Sequence, residues 1–253
     1  MRTTAHVGAQ AALALTTLLA PGLQRAAQAG PADYVLTPIV EAGEREIDFK
    51  AGSARLKDRS RSEQASVGLG WGVNAHWFTE LYAIWHQPPG EPRRFDAWEW
   101  ENRVQITETG KYPVDVGLVL ELERPRDRSE GYELRWGPLL QAELGSHWQA
   151  NLNLLLEKHV RVAQGGPTEL GYQWQLKYRW RPELEWGLQG LGDVGPWTRW
   201  EPAAEQPHAA GPAVFGRLRI GEHQTVKFNA ALLHGWTRAA PRTTARLQAE
   251  LEF

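Results

Sequence analysis

The chain has 253 residues, with 28 Lys and Arg against 30 Asp and Glu, and a formal net charge of −2 at pH 7. A charge this close to zero argues against a nucleic-acid partner, which would favour a basic surface. Because the sequence contains no cysteine, disulfides, thiolate metal ligands and cysteine nucleophiles are excluded. Thirteen Trp is a high count for a chain of this size, so their positions need an explanation.

Residues 1–29 differ in composition from the rest of the chain. A basic start is followed by an apolar run over residues 11–20 and by a small-x-small site at residues 27–29. These three parts predict a cleaved secretory signal peptide. The alternative, a buried or membrane-spanning helix, is disfavoured because the apolar run is much shorter than the ~20 residues that a spanning helix needs.

From residue 44 onward, apolar and polar side chains alternate with a period of two. In residues 64–74, Ala, Val, Leu, Trp and Val occupy the odd positions, and small or polar residues occupy the even ones. Such alternation is typical of a strand with two different environments. The pattern recurs twelve times, with the tenth repeat the weakest. The predicted strands are 44–56, 63–73, 77–86, 95–107, 113–123, 132–144, 147–158, 168–180, 183–192, 212–220, 224–234 and 243–253.

The length and spacing of these strands favour a membrane barrel over a soluble sandwich. A tilted strand needs ~9–11 residues to cross the hydrocarbon, whereas strands of soluble proteins are nearer 5–6 residues. Short connections follow the even strands and longer polar ones follow the odd strands, as in outer-membrane barrels. We therefore predict an all-β fold: a transmembrane, up-and-down, antiparallel β-barrel of about 12 strands in a bacterial outer membrane. Residues 44–253 form this barrel, and residues 30–43 are expected to be a periplasmic N-terminal segment.

The aromatic residues fit this interpretation, because they fall near the two ends of the predicted strands. Rings with a polar N–H or O–H are expected at membrane interfaces. The alternative is a set of core Trp in a soluble β-protein, but so many indoles on one face would overfill a single core. The predicted interface residues are Trp71, Trp77, Trp85, Trp98, Trp136, Trp148, Tyr178, Trp180 and Trp186.

The last predicted strand resembles the C-terminal strand of Gram-negative outer-membrane β-barrels of the porin and transporter kind. That family ends in Phe with apolar residues at alternate positions before it, as Leu247, Leu251 and Phe253 do here. The resemblance implies that these residues form an assembly signal for the barrel-assembly machinery, with periplasmic chaperones acting during biogenesis. Three blocks are also similar to an uncharacterised family of proteobacterial outer-membrane proteins without known activity: Asp96–Arg103, Glu121–Leu134 and Gly171–Arg181.

The opposite face of each strand points into the barrel and is strongly ionic. This pattern predicts a narrow lumen whose charges select small polar solutes, as in a porin. The alternative is a plugged interior of ion pairs and amides, in a structural or adhesion barrel. Acids on the fourth to sixth strands favour cations or neutral solutes. The predicted lumen residues are Glu99, Glu101, Arg103, Glu121, Glu123, Glu133, Arg135, Glu143, Gln175, Lys177, Arg179 and Arg246.

The sequence gives little support for catalysis or for a cofactor. An outer-membrane lipase would need His within hydrogen-bond reach of Ser, and no His-x-Ser pair lies on a predicted strand face. Ser146 and His147 are adjacent, but they lie in a predicted turn where we expect their side chains to diverge. We therefore expect neither an enzyme nor a metal site, because the histidines near the outer loops lack His-x-His or His-x₃-His spacing. These are His86, His159, His208 and His234.

The longest predicted loop, residues 193–211, carries Trp197 and Trp200. It has three possible positions: folded into the lumen as a constriction, closed over the mouth, or presented as an adhesion surface. Exposed aromatic residues often mark a contact surface, and the sequence does not choose among the three. The expected state is a monomer surrounded by outer-membrane lipid.

Overall fold

The computed structural model describes residues 30–162 and 165–253, so the predicted signal peptide lies outside the described residues. The described residues form twelve antiparallel strands, and β1 pairs with both β2 and β12, which closes the sheet into a barrel. No helix within these ranges is long and apolar enough to cross a membrane. The strands are β1 Arg45–Arg55, β2 Arg61–Asn74, β3 Trp77–Gln87, β4 Arg94–Gln105, β5 Asp115–Pro125, β6 Tyr132–Leu144, β7 Trp148–Val160, β8 Glu169–Arg181, β9 Leu184–Pro196, β10 His208–Arg219, β11 Thr225–Gly235 and β12 Thr243–Glu252.

The predicted fold class is confirmed, and the largest boundary error falls around the predicted loop 193–211. Strand β9 continues to Pro196 and β10 begins at His208, so the loop spans only residues 197–207. The missed ends contain several Gly and Ala; the start of β10 pairs with β9, for example Ala210 with Gly190, and the end of β9 pairs with β8, for example Asp193 with Gly171. Small residues carry no apolar alternation, which is why the sequence pattern did not reveal this part of the ladder.

The barrel has its apolar side chains on the outside. Leu69 on β2 is 66 % exposed, whereas Asp48 on the inner face of β1 is 1 % exposed. This distribution is the reverse of that in a soluble protein, and it suits a wall that faces hydrocarbon. Closing the sheet pairs every strand edge, so within residues 30–162 and 165–253 no strand presents an unpaired row of backbone polar groups to lipid.

An aromatic cluster lies on the outer wall near the short turns. The rings of Trp148 and Tyr178 have centroids 5.0 Å apart, and those of Tyr178 and Trp186 are 5.1 Å apart. Trp71, Trp98, Trp180 and Trp186 are each about half exposed on the outer surface. These positions agree with the predicted use of the aromatic residues, but their function as interface anchors stays a prediction, as does the assembly signal at the C-terminal end.

Candidate functional site

One part of the inner wall, contributed by β1 to β6, is held by ion pairs. Lys50 Nζ lies 3.6 Å from a carboxylate oxygen of Asp48, and Arg103 Nε lies 3.0 Å from Glu101 Oε1. Asp48 and Glu101 are each 1 % exposed. Buried charges remain ionised only when they are paired and hydrogen-bonded, so this part of the wall depends on its cations.

The facing part of the wall, on β6 to β9, is a network of amides. Gln149 Nε2 donates to Gln141 Oε1 at 2.7 Å, and Asn151 Nδ2 donates to the same oxygen at 3.0 Å. Gln189 Nε2 donates to Gln175 Oε1 at 2.6 Å. Each amide both donates and accepts, so such a chain satisfies buried polar groups without net charge.

Residues 30–43, here called the inner segment, lie inside the barrel rather than in the periplasmic position expected from the sequence. The backbone N–H of Val40 donates to Gln105 Oε1 on β4 at 2.8 Å. Asn153 Nδ2 on β7 donates to the carbonyl of Leu36 at 3.1 Å. The segment therefore lies inside the lumen, where it is hydrogen-bonded to side chains of β4 and β7, which are three strands apart in the barrel.

The apolar character of the inner segment explains why it leaves water. Leu36 is 2 % exposed and packs against Val119, Leu139 and Leu155, an apolar patch on the inner faces of β5, β6 and β7. Burying one such side chain contributes about 1.5–3 kcal/mol relative to its exposed state. A periplasmic position would leave this side chain in water and the wall patch uncovered.

Two guanidinium groups of the inner wall contact the inner segment near its start, at Asp33. Arg135 Nη1 lies 3.1 Å from the carboxylate of Asp33, and the same side chain also pairs with Glu121. Arg246 donates one N–H to the carbonyl of Asp33 and another to Gln189 Oε1, the latter at 2.6 Å. Arg135 and Arg246 were predicted to line a solute path, and the structure shows that both contact the segment that occupies it.

Glycines on the inner wall let the inner segment approach the strands closely. A Cβ added to Gly52 would lie 1.9 Å from the carbonyl oxygen of Pro31, and one added to Gly117 would lie 3.0 Å from Pro38 Cβ. A side chain at Gly52 therefore cannot coexist with the segment in its observed position. The sequence indicated small residues on this face but not what they contact.

We expect the substitution Gly52→Val to displace the inner segment while the barrel stays closed, because the added methyl groups enter space that the Pro31 backbone fills. Limited proteolysis should then cut the chain within residues 30–43 faster than in the wild type. Gly171→Val is the matched control, since it adds the same bulk to an inner-face glycine whose added Cβ meets no atom closer than 3.4 Å. Equal cleavage rates in both variants would contradict the assigned contact.

A cavity of about 510 Å³ lies between the inner segment and the short turns. It extends from Tyr34 in the segment to Pro182 in the turn between β8 and β9. Both signs of charge line it, and Lys177 Nζ pairs with Glu185 at 3.1 Å. The lumen thus contains a vestibule with charged walls at the end with short turns, and the inner segment lies farther in.

The predicted lumen residues lie on the inner face of their strands, but two of them lie at its edge. Glu143 and Arg179 are exposed at the end with short turns, where Arg179 Nη2 donates to Glu143 Oε1 at 2.8 Å. Their part in solute passage, like that of the other lumen residues, stays a prediction. An apolar cluster that the alternation pattern did not predict lies on the inner faces of β9, β10 and β11 and consists of Leu191, Ala213, Phe215, Ala231 and Leu233.

The loop between β9 and β10 does not constrict the lumen. Trp197 is 56 % exposed and Trp200 is 63 % exposed. The position inside the lumen, one of three considered for the predicted loop 193–211, is taken by residues 30–43 instead. The positions over the mouth and on the adhesion surface both remain open for this loop.

Pairing between strands brings together a serine and a histidine that are distant in sequence. Ser62 Oγ on β2 lies 2.9 Å from His86 Nε2 on β3, and His86 Nδ1 lies 3.7 Å from Asp96 on β4. The search for a His-x-Ser pair on single strands could not find this contact, because it forms between two strands. The second distance exceeds that of a hydrogen bond. Diverging side chains in the turn were wrongly expected, since Ser146 Oγ lies 2.6 Å from His147 Nδ1.

Comparison with known proteins finds similarity in fold but none in sequence. No family model matches the chain, and no curated protein matches it. The COG4313 outer membrane channel from Pseudomonas putida F1 superposes with a TM-score of 0.59 at 10 % identity, covering 89 % of this chain and 100 % of that one. The NanC porin superposes with a TM-score of 0.53 at 7 % identity, covering 83 % and 98 % respectively. The chain thus shares the closed β-barrel fold of these outer-membrane proteins, and its apolar outer surface suits a position in a membrane.

Proposed function

We propose that this barrel is a porin-like channel for small polar solutes, narrowed at its middle by residues 30–43. The single observation that carries the proposal is the inner wall, which, apart from the apolar patches on β5 to β7 and on β9 to β11, presents polar and ionic side chains both at the 510 Å³ vestibule and at the opposite mouth. A barrel whose only task is to be rigid gains more from a packed apolar interior than from buried charge. The solved outer-membrane channels that share the fold are consistent with passage of solutes.

Unpaired polar atoms in the wall support a hydrated path. Neither carboxylate oxygen of Glu80 has a hydrogen-bond partner among the described residues, and Asp48 Oδ1 and Glu121 Oε1 also lack one. Leaving such groups dry and unpartnered is costly, so water or a solute is expected to contact them. Water along these groups would form the start of a permeation path beside the inner segment.

The mouth at the end with long loops is acidic, which favours cations. Glu99 on β4 is the register partner of Glu123 on β5, and Glu123 is the partner of Glu133 on β6. The guanidinium of Arg135 is already in contact with Glu121 and Asp33. Neighbouring carboxylates on one wall lower the electrostatic potential there and raise the local concentration of cations.

Planar-bilayer recording of the refolded protein tests the proposal. We expect discrete conductance steps and, under a KCl gradient, a reversal potential on the cation-selective side. The double variant Glu123→Gln with Glu133→Gln should move the reversal potential towards zero, because it removes two charges from the mouth. Glu108→Gln is the control, since Glu108 pairs with Lys111 at 2.8 Å and lies at the opposite end of the barrel, in the β4–β5 connection, which at residues 106–114 is longer than the short turn that the sequence predicted. Steps without any cation preference would contradict the role of the acidic mouth.

A second candidate is a structural or adhesion barrel whose lumen is permanently plugged. The observation that favours it is the anchoring of the inner segment by side chains of several strands, among them β4, β6, β7 and β12. Absence of conductance steps from correctly folded wild-type protein would support this alternative over the channel. Neither proposal assigns a reaction or a cofactor, and both take the protein to be a monomer in outer-membrane lipid.

A further inference from the structure

Two carboxylates and one imidazole converge at the acidic mouth. Glu133 on β6 is the register partner of His159 on β7, and Glu157 precedes His159 by two positions on the same inner face. His159 Nε2 lies 3.8 Å from Glu133 Oε2 and 3.6 Å from Glu157 Oε1. One potential ligand atom from each of the three side chains lies within 4.8 Å of the other two. The sequence offered no such signal, because the pattern arises only when the two strands pair.

These separations fit a shared metal ion better than direct hydrogen bonds. The two measured distances exceed the 3.2 Å limit of an ordinary N–H···O bond. Two ligand atoms at about 2.1 Å from a tetrahedral Zn²⁺ are about 3.4 Å apart, which is close to the observed values. Imidazole with carboxylates is a ligand set suited to Zn²⁺ and also acceptable to Mn²⁺.

The charge of the surroundings also favours a bound cation. Glu123 is the register partner of Glu133, and Glu169 is a partner of Glu157, so further carboxylates flank the three ligands; Arg135, the other register partner of Glu157, contacts Glu121 and Asp33. A divalent ion reduces the repulsion among neighbouring carboxylates and becomes the largest local charge. The side chains of His159, Glu133 and Glu157 are 42 %, 24 % and 16 % exposed, so an ion can reach them from the mouth.

We propose that Glu133, Glu157 and His159 form a binding site for a divalent transition-metal ion, preferably Zn²⁺, at the acidic mouth of the barrel. Three protein ligands leave the remaining coordination positions of the ion to water. The site goes beyond passage of solutes, since it would bind its ion whether or not the lumen conducts.

Isothermal titration of the refolded protein in detergent with Zn²⁺ tests the site, and the EPR signal of added Mn²⁺ provides a second readout. We expect one ion per chain, and we expect His159→Gln and Glu157→Gln each to weaken binding at least about tenfold. Glu143→Gln and His147→Gln are matched controls that change an acid and an imidazole at the opposite rim, and both should bind as the wild type does.

Absence of Zn²⁺ binding by folded wild-type protein would overturn the proposal, and so would unchanged affinity in both ligand variants. The heat-dependent migration of folded barrels on gels reports whether each variant has folded. Metal binding is measured on a folded barrel and does not require conductance. The experiment therefore tests the metal site independently of the channel function.

Discussion

Deleting residues 31–40 is expected to raise the single-channel conductance of the refolded barrel several-fold. This stretch contains the buried side chains Val35, Leu36 and Val40 and crosses the lumen between β4 and β7. Removing it opens the middle of the barrel to the vestibule beneath. Planar-bilayer recordings of the deleted and complete chains, each starting at Gly30, measure the change.

The deletion should leave the barrel itself intact, because β1 begins at Arg45 and closes against β12 through pairs such as Ile47 with Leu251. A chain in which residues 31–40 are replaced by Gly and Ser of equal length is the control for tethering, and we expect it to conduct more than the wild type. Equal conductance of the deleted and complete chains would show that the segment is not the constriction. No conductance from either folded chain would defeat the channel proposal.

The substitution Arg135→Met is expected to lower the free energy of unfolding by roughly 3–5 kcal/mol, the usual cost of removing one partner from a buried ion pair. Arg135 contacts Glu121 on the wall and Asp33 in the inner segment, so its loss leaves two carboxylates without this cation. Chemical unfolding of the barrel in detergent or lipid, followed by tryptophan fluorescence, measures the change.

A second substitution separates the effect of charge from that of packing. Adding Glu121→Gln to Arg135→Met should restore part of the lost stability, because the 2 % exposed carboxylate of Glu121 is then neutral. Arg93→Met is the matched control, since Arg93 pairs with Glu63 at the surface with its own side chain 51 % exposed. Exposed pairs contribute about 0–1 kcal/mol, so the control should unfold almost as the wild type does. An Arg135→Met protein as stable as the control would contradict the role given to this ion pair.

The strands, and hence a closed barrel, could be predicted from the sequence because apolar and polar side chains alternate locally along each strand. In β2, apolar side chains occupy every second position and point to lipid, and this period is a property of the strand itself. The same rule failed at the ends of β9 and β10, where Gly and Ala carry no apolar signal. It also failed for the inner segment, whose apolar residues have no period and whose binding partners lie on at least six strands.

The candidate sites, like the strands, could be predicted from the sequence only in part. The sequence placed Glu133 and Arg135 on an inner face, and it identified the lumen as ionic. It did not show that Arg135 binds Asp33, that Glu133 faces His159, or that Ser62 lies beside His86. The residues in these three contacts are 24 to 102 positions apart in the sequence. Each contact therefore forms only when the strands and the inner segment come together.

What the sequence alone determined is the wall: twelve alternating strands, polar inside and apolar outside, because each strand must match lipid on one face whatever its neighbours are. What only the tertiary structure decided is the content of the lumen. Residues 30–43 could satisfy their apolar side chains and backbone groups in several places. The inner wall determines their position. Its glycines, the apolar patch that contacts Leu36, and the guanidinium groups of Arg135 and Arg246 come together only after the barrel has closed.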